Sequence, residues 1–201
     1  MSTLSAQGIS FEAGASSTQT FPRRIGGIEI EQDVLLAAAN HTFNFQVAAT
    51  AQFHPNFALG LQVGTNNFIG RLIEQSGLRR IADVEGEQVF VEMLPEFRAG
   101  RQHWFFVNAG LGWQHAYTGK QRIFNISPGP DDLDSRRDLR ANNLSYAVNV
   151  GGQLNVNRLG LRLGYGLRHW RFDPVGSTRI TQILWQANLV YALSKQNKEH
   201  G

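Results

Sequence analysis

Residues 105–114, FFVNAGLGWQ, decide the fold class, because apolar residues at the odd positions alternate with mostly small or polar residues at the even ones. Residues 57–66, FALGLQVGTN, repeat the pattern. A β-strand sends successive side chains to opposite faces, so each stretch predicts a strand with one apolar and one small, hydrophilic face. A soluble barrel places its apolar face inside, whereas a barrel in lipid requires the reverse. Since Gly, Asn and Gln make a poor soluble exterior, the pattern favours a transmembrane β-barrel.

The same alternation predicts eight strands in the chain, each at least as long as the 9–11 residues that a tilted spanning strand needs. Short, turn-rich links alternate with long, polar links, and an even number of strands allows antiparallel closure. We therefore predict an all-β, eight-stranded, antiparallel up-and-down barrel with short periplasmic turns and longer extracellular loops. The predicted strands are 8–20, 41–53, 57–68, 88–98, 103–117, 143–156, 159–172 and 180–193, and the long links are 21–40, 69–87, 118–142 and 173–179.

Composition excludes several classes of protein. The 201 residues suffice for one small barrel, and the absence of cysteine excludes disulfides and thiolate metal sites. No run approaches the roughly 18 apolar residues of a spanning helix. The net charge is only +3, and no block of Lys and Arg is interleaved with aromatic residues, so we expect no nucleic-acid partner.

The inner, polar phase collects the charges that fall within the predicted strands. Charges in a narrow lumen are costly unless they are paired, so we expect these side chains to find each other. Because side chains nearly fill an eight-stranded barrel, the network predicts a plugged lumen. The alternative is a narrow ion or small-solute channel that this network gates. The residues of the network are Glu12, Glu92, Glu96, Arg162 and Arg168.

Aromatic residues of the outer phase gather near the strand ends, as the interfacial belts of a membrane barrel require. Pro95 lies within a predicted strand, where a proline deletes a ladder hydrogen bond and therefore predicts a bulge. The belt residues are Phe53, Phe57, Phe97, Phe105 and Tyr191 toward the turns, and Phe43, Trp113, Tyr117 and Trp185 toward the loops.

In strand number, alternation and linker pattern, the chain resembles the small eight-stranded outer-membrane barrels of Gram-negative bacteria, the OmpA/OmpX-like group. The resemblance implies an outer-membrane location and extracellular loops. It implies no single activity, because members serve as anchors, adhesins, narrow channels and lipid-modifying enzymes. Such barrels often end on an aromatic residue, whereas here Leu193 precedes a polar tail. We expect a remnant of an export signal or a disordered N-terminus at 1–7, the barrel at 8–193 and the tail at 194–201.

The chain lacks the residue patterns of two types of lipid A-modifying barrel. The deacylase type carries a serine two residues after a histidine, a spacing that is absent here. The palmitoyltransferase type uses loop-side His, Asp and Ser, for which the chain offers only Asp134-Ser135 with His41. The histidines also lack metal-ligand spacing on a shared face. We therefore predict no enzyme, no cofactor and no metal site.

We predict a structural or surface-interaction role, with outer-membrane lipid and lipopolysaccharide as partners and an extracellular protein or surface ligand at the loops. Residues 81–84 and 122–126 are β-prone and predict strands that protrude with an exposed edge, to which a partner strand can pair. A soluble, lipocalin-like barrel is the remaining alternative and requires the apolar phase inside. The loop arginines expected to meet lipid phosphates are Arg23, Arg24, Arg79, Arg80, Arg136 and Arg137.

Overall fold

The computed structural model describes residues 8–25, 28–29, 35–39, 41–74, 80–100, 103–123, 135–138, 142–171 and 178–193. No helix in this part of the chain is long and apolar enough to cross a membrane. The predicted terminal segments 1–7 and 194–201 lie outside the described residues. The strands are β1 (Gly8–Ile25), β2 (Ile28–Glu29), β3 (Leu35–Ala39), β4 (His41–His54), β5 (Phe57–Glu74), β6 (Arg80–Ala99), β7 (His103–Ile123), β8 (Ser135–Asp138), β9 (Asn142–Val156), β10 (Leu159–Arg171) and β11 (Arg179–Ala192).

Eight long strands close into a barrel in the order β1, β4, β5, β6, β7, β9, β10 and β11, and each pairs antiparallel with both neighbours. The barrel closes where β1 pairs with β11, with Phe11 opposite Tyr191 and Ser17 opposite Trp185. The short strands β2, β3 and β8 pair with β1, β5 and β7 at the loop ends. The predicted eight-stranded, antiparallel up-and-down barrel is confirmed.

Short turns connect the strands at one end of the barrel. Pro55 and Asn56 link β4 to β5, and Asn157 and Arg158 link β9 to β10. Asn157 has a φ of 59° and Gly100, after β6, has a φ of 95°. These positions suit Asn and Gly, the residues that most readily adopt the left-handed conformation of a tight turn. We call this end the turn side and the opposite end the loop side.

The side chains alternate between the two faces as predicted, with apolar residues outside. Leu144 on β9 is 72% exposed, whereas the next residue, Ser145, is fully buried. On β4, Phe43 and Phe45 are exposed and the intervening Asn44 is buried. This arrangement is the opposite of that required by a soluble, lipocalin-like barrel, whose apolar phase lies inside.

The predicted strand ends on the loop side are wrong, because segments assigned to polar loops continue the strands. Residues 21–25, 69–74, 80–87 and 118–123 are strand. Their hydrophilic outer residues resemble a loop, but their backbones stay paired, as at Gly70 and Val84. Within 82–87 the alternation persists with its polarity reversed, because Ala82 and Val84 are buried whereas Asp83 and Glu85 lie on the outer face.

The exposed edges predicted at 81–84 and 122–126 are also wrong where the structure describes them. Ala82 pairs with Leu72 on one side and Ile123 on the other. Ile123 in turn pairs with Ser135 of β8. Neighbouring strands of similar length have covered these edges, and residues 124–126 lie outside the described part of the chain.

Pro95 does not produce the predicted bulge. It pairs with Leu59 of β5. The register between β6 and β7 is the same before and after it, since Met93 lies opposite Leu111 and Glu96 opposite Asn108. The β6–β7 ladder lacks a pair at the proline, so the missing N–H is accommodated without an extra residue.

The barrel interior as the candidate functional site

A cluster of four charged side chains fills the turn-side interior. Arg162 of β10 lies between Glu12 of β1 and Glu96 of β6, with its Nη1 donating to Glu12 Oε1 at 2.8 Å and its Nη2 to Glu96 Oε2. The Nε of Arg98 donates to Glu96 Oε1. All four side chains are buried. We call Glu12, Glu96, Arg98 and Arg162 the turn-side cluster.

Neutral polar groups complete the hydrogen bonding of these carboxylates. Asn188 Nδ2 donates to Glu12 Oε2, and Asn108 Nδ2 donates to Glu96 Oε2, each at 3.3 Å. The guanidinium of Arg162 also lies 3.6 Å from the centroid of the Phe106 ring. A buried charge is tolerated when it is both paired and hydrogen-bonded, and a desolvated guanidinium over an aromatic face gains a further attraction.

A second ion pair lies nearer the middle of the barrel. Arg168 Nε lies 2.8 Å from Glu92 Oε1, and Arg168 Nη2 donates to Glu92 Oε2 at 2.8 Å. Ser145 Oγ donates to Glu92 Oε1 at 3.2 Å, and the Arg168 guanidinium lies 4.1 Å from the centroid of the Phe90 ring. The guanidinium thus meets both carboxylate oxygens, with a hydrogen bond from Nη2 and a close ionic contact at Nε, whose own N–H has no hydrogen-bond partner among the described residues.

Glycines on the inner face of β7 leave room for these side chains. A Cβ at Gly112 would overlap the Cγ of Glu92 and lie 2.6 Å from the carbonyl oxygen of Val91. A Cβ at Gly110 would lie 2.7 Å from Leu94 Cδ2. The small residues of the stretch that predicted the fold therefore also make space for the charges inside it.

The structure brings the five predicted charged residues together in two groups. Glu12, Glu96 and Arg162 meet in the turn-side cluster, and Glu92 meets Arg168. Sequence reasoning missed Arg98, although its even position on β6 places it in the same phase as Glu92 and Glu96. With Arg98 included, these three carboxylates face three guanidiniums, so the paired charges balance.

An apolar cluster occupies the loop-side interior, which the sequence prediction did not anticipate. Its members are 0% exposed, and the Phe68 and Trp170 rings meet edge to face at 6.0 Å between centroids. Trp170 follows Arg168 in the inner phase of β10, so the alternation alone could have identified it. We call the following residues the loop-side apolar cluster: Phe68, Ala82, Val84, Trp170 and Ile180.

The nine predicted belt residues all lie on the outer surface and are at least partly exposed, and their role as interfacial belts stays a prediction. Trp185 packs edge to face against Tyr165 with centroids 4.7 Å apart. The nine belt residues are Phe43, Phe53, Phe57, Phe97, Phe105, Trp113, Tyr117, Trp185 and Tyr191.

Other predicted residues are only partly described. The side chains of Arg23 and Arg24 are described, whereas Arg79 lies outside the described residues, and Arg80, Arg136 and Arg137 are described in their backbone alone. Asp134 also lies outside them. In the described ranges no group of three His, Asp or Glu side chains is placed to hold a metal ion.

Comparisons with known proteins identify the fold. No protein-family model matches the chain, and no curated protein matches it in sequence. Among solved structures, the outer membrane protein OprG from Pseudomonas aeruginosa is similar with a TM-score of 0.52 and 9% identity, over 94% of this chain and 97% of that one. At this identity the likeness concerns the fold and not the activity.

Two further structures show a weaker likeness. Ail, the attachment invasion locus protein of Yersinia pestis, in complex with the heparin analogue sucrose octasulfate, has a TM-score of 0.47 and 15% identity, over 92% of this chain and 99% of that one. The outer membrane protease OmpT from Escherichia coli has a TM-score of 0.40 and 10% identity, over 96% and 99%. The closed eight-stranded barrel and its likeness to OprG give the chain the fold of a bacterial outer-membrane β-barrel, built here from the eight strands that its alternating residues predict.

Proposed function

We propose that the protein is a closed outer-membrane barrel with a structural or surface-interaction role and without catalytic activity. The observation that supports this proposal most directly is the filling of the interior by two different layers. Arg162 joins side chains from β1 and β6 across the turn-side lumen. Phe68 and Trp170 pack against each other across the loop side. Each layer is expected to oppose the passage of solutes, because its side chains contact each other inside the lumen.

Its first partner is the lipid of the outer membrane. Long apolar side chains cover the exterior of the barrel, with Phe43 70% and Leu189 68% exposed. In water such a surface would be costly, whereas in a bilayer it contacts acyl chains of the same polarity. Backbone pairing around the whole barrel also satisfies the hydrogen bonds that lipid cannot supply.

A projecting sheet supports the surface-interaction role. The strands β5, β6 and β7 contain 18, 20 and 21 residues, compared with 13 in β10 and 14 in β11. A spanning strand needs about 9–11 residues, so these three strands continue well past the bilayer on the loop side. The short strands β3 and β8 pair with β5 and β7 and widen this sheet. In the described part of the chain β3 and β8 each pair on one side only, so an extended segment of an extracellular protein can add to their outer edges through main-chain hydrogen bonds.

A narrow channel is the second candidate, and two buried amides favour it. The side-chain nitrogen and oxygen atoms of Gln88 and of Gln114 have no hydrogen-bond partner among the residues that the structure describes. Both side chains are 0% exposed and lie on the inner faces of neighbouring strands. Buried amides without protein partners ordinarily form hydrogen bonds to buried water. Water between the two layers is what a gated channel through the lumen would need.

Single-channel recording in planar bilayers separates the two candidates. We expect the wild-type barrel to show no stable conductance steps, because both layers remain closed. Removal of the loop-side layer alone, in the double variant Phe68→Ala/Trp170→Ala, should also leave it closed at the ion pairs. The exposed turn variant Arg158→Gln serves as the control.

A steady conductance of the wild type that changes its ion selectivity in Arg168→Gln, but not in Arg158→Gln, would establish the channel and refute the closed barrel. All variants must first show the heat-modifiable gel mobility of a folded barrel, so that an absent current is not confused with a misfolded chain.

A further inference from the structure

Three arginines gather on the outer surface at the loop-side ends of β10, β11 and β1. Arg171 lies directly opposite Arg179 in the β10–β11 register. Arg23 is exposed and lies at the irregularity where β1 pairs with the end of β11. Its chain neighbours Pro22 and Arg24 pair with Ile180 and Arg179, which places Arg23 beside the other two arginines. We call Arg23, Arg171 and Arg179 the rim arginine cluster.

No counter-charge for the cluster lies among the described residues. Like charges directly opposite each other on antiparallel strands are destabilising. None of the three arginines makes an ion pair with a carboxylate in the described part of the chain. The Nε of Arg179 is shielded from solvent and has no hydrogen-bond partner there. In this part of the chain, the cluster therefore combines three positive charges that have no carboxylate partner with one shielded N–H, that of Arg179 Nε, which has no acceptor.

Charges are balanced on another part of the loop-side rim, at the ends of β5, β6 and β7. We call this part the balanced rim. On β5, β6 and β7, Asp83 lies in register between Arg71 and Arg122, and Glu85 lies opposite Lys120. Charges of opposite sign therefore alternate across these strands, a pattern that stabilises a sheet. The rim arginine cluster lacks this alternation, so the described residues supply it with no counter-charge.

The position of the cluster indicates where that counter-charge lies. Toward the turn side, the same strands carry outward apolar and aromatic residues, among them Leu167 and Trp185, which are 48% and 57% exposed. When this surface lies in the hydrocarbon, the arginines just beyond it lie at the level of the lipid headgroups. The planar fork of arginine matches a phosphate with two parallel hydrogen bonds.

We propose that Arg23, Arg171 and Arg179 bind the phosphate of an anionic lipid headgroup in the leaflet on the loop side. This inference rests on the proposed function as an outer-membrane barrel and assigns a binding site to one class of lipid. The phosphate offsets the repulsion between Arg171 and Arg179 and supplies an acceptor for the shielded Nε of Arg179. The cluster therefore binds one class of lipid at a fixed place on the barrel wall.

The test uses the full chain, refolded into phosphatidylcholine nanodiscs with or without lipid A. Lipid A that stays bound after extraction into a phosphate-free detergent is counted per barrel by mass spectrometry. We expect R23Q/R171Q/R179Q to lower the apparent affinity about tenfold or more, since each lost charged hydrogen bond is worth about one such factor. The matched control R71Q/K120Q/R122Q removes the same charge from the balanced rim and should retain lipid A as the wild type does.

A stability crossover provides the second readout. In phosphatidylcholine alone, Arg171→Gln should unfold at higher urea than the wild type, because one of two facing like charges is gone. With lipid A present the order should reverse, because the variant has lost a ligand contact. A variant that is less stable in both bilayers would contradict the proposal and would assign the cluster a purely structural role.

Three other outcomes are decisive. Equal loss of lipid A in the cluster and control variants would overturn the site, since only overall charge would then matter. Release of lipid A by inorganic phosphate would identify a free anion, not a headgroup, as the ligand. A chain that inserts into the bilayer but retains no lipid A refutes the site alone, whereas a chain that fails to insert refutes the proposed membrane barrel.

Discussion

The two ends of strand β6 have opposite polarity on the same two faces. In its turn-side half, Val91 and Met93 point outward while Glu92 lies inside. In its loop-side half, Asp83 lies on the outer face and Val84 inside. The inner phase never changes, since the even-numbered residues face inward throughout. Only the chemistry of the two faces is exchanged along the strand.

This contrast between the two halves of β6 indicates that the medium around the barrel determines which side chains fill its interior. Where lipid surrounds the strands, apolar side chains face outward, and the inner face carries polar and charged groups that pair with one another. Where the strands leave the lipid, water replaces it, and burial of apolar side chains inside becomes favourable again. One barrel thus contains an ionic core and a hydrophobic core, stacked along its axis.

Breaking the ionic core should have the largest effect. In Arg162→Met, Glu12 loses its only ion-pair partner in the described structure and Glu96 loses one of two. Removal of one partner of a buried ion pair typically costs about 3–5 kcal/mol, because the remaining charge is left buried. The free energy of unfolding, measured by urea titration in lipid vesicles, should fall by this amount.

Arg158→Met is the matched control for that variant, because Arg158 is exposed in a tight turn. Its free energy of unfolding should stay within about 0.5 kcal/mol of the wild type. A similarly small loss in Arg162→Met would show that the turn-side cluster contributes little to stability.

Breaking the hydrophobic core should cost somewhat less. Ile180 is 0% exposed, and its truncation in Ile180→Ala leaves a cavity beside Trp170, its register neighbour on β10. The loss expected for a buried isoleucine is about 2–5 kcal/mol. Ile183→Ala removes the same atoms from the outer face of the same strand, where acyl chains can fill the space. If both variants lose the same stability in the urea titration, the loop-side interior is not a packed core.

The smallest loss of stability is expected from a variant that tests how tightly the ionic core is packed. Gly112→Ala places a Cβ against Glu92 and the backbone of Val91, and overpacking of this kind costs about 1–3 kcal/mol. Gly60→Ala is also inward-facing, but its Cβ would meet Thr50 Oγ1 only at 3.3 Å. We expect a lower urea midpoint for Gly112→Ala than for Gly60→Ala, and the reverse order would mean that the Glu92 side chain moves aside freely.

Much of the membrane-embedded part could be predicted from the sequence, because the apolar and polar phases differ strongly there. The outward placement of Leu144 and the inward placement of Glu92 both follow from position along a strand. The loop-side ends could not be predicted in the same way, since their outer faces are hydrophilic and resemble loops. Val84 and Trp170 belong to the same inner phase, but single apolar residues in an otherwise polar phase do not show that they pack together as a core.

The alternation of residues is sufficient to show which face of each strand meets lipid, because the side-chain period of a strand is two and cannot be shifted without exchanging the faces. It also determined that charges must lie inside. Which of these charged side chains form ion pairs depends on the closed barrel. Arg162 is 150 residues from Glu12 and 66 from Glu96, and it reaches both because closure of the barrel brings β10 and β1 together around one lumen. The strand register and closure that set these encounters arise from pairing around the whole barrel, and no local pattern of residues encodes them.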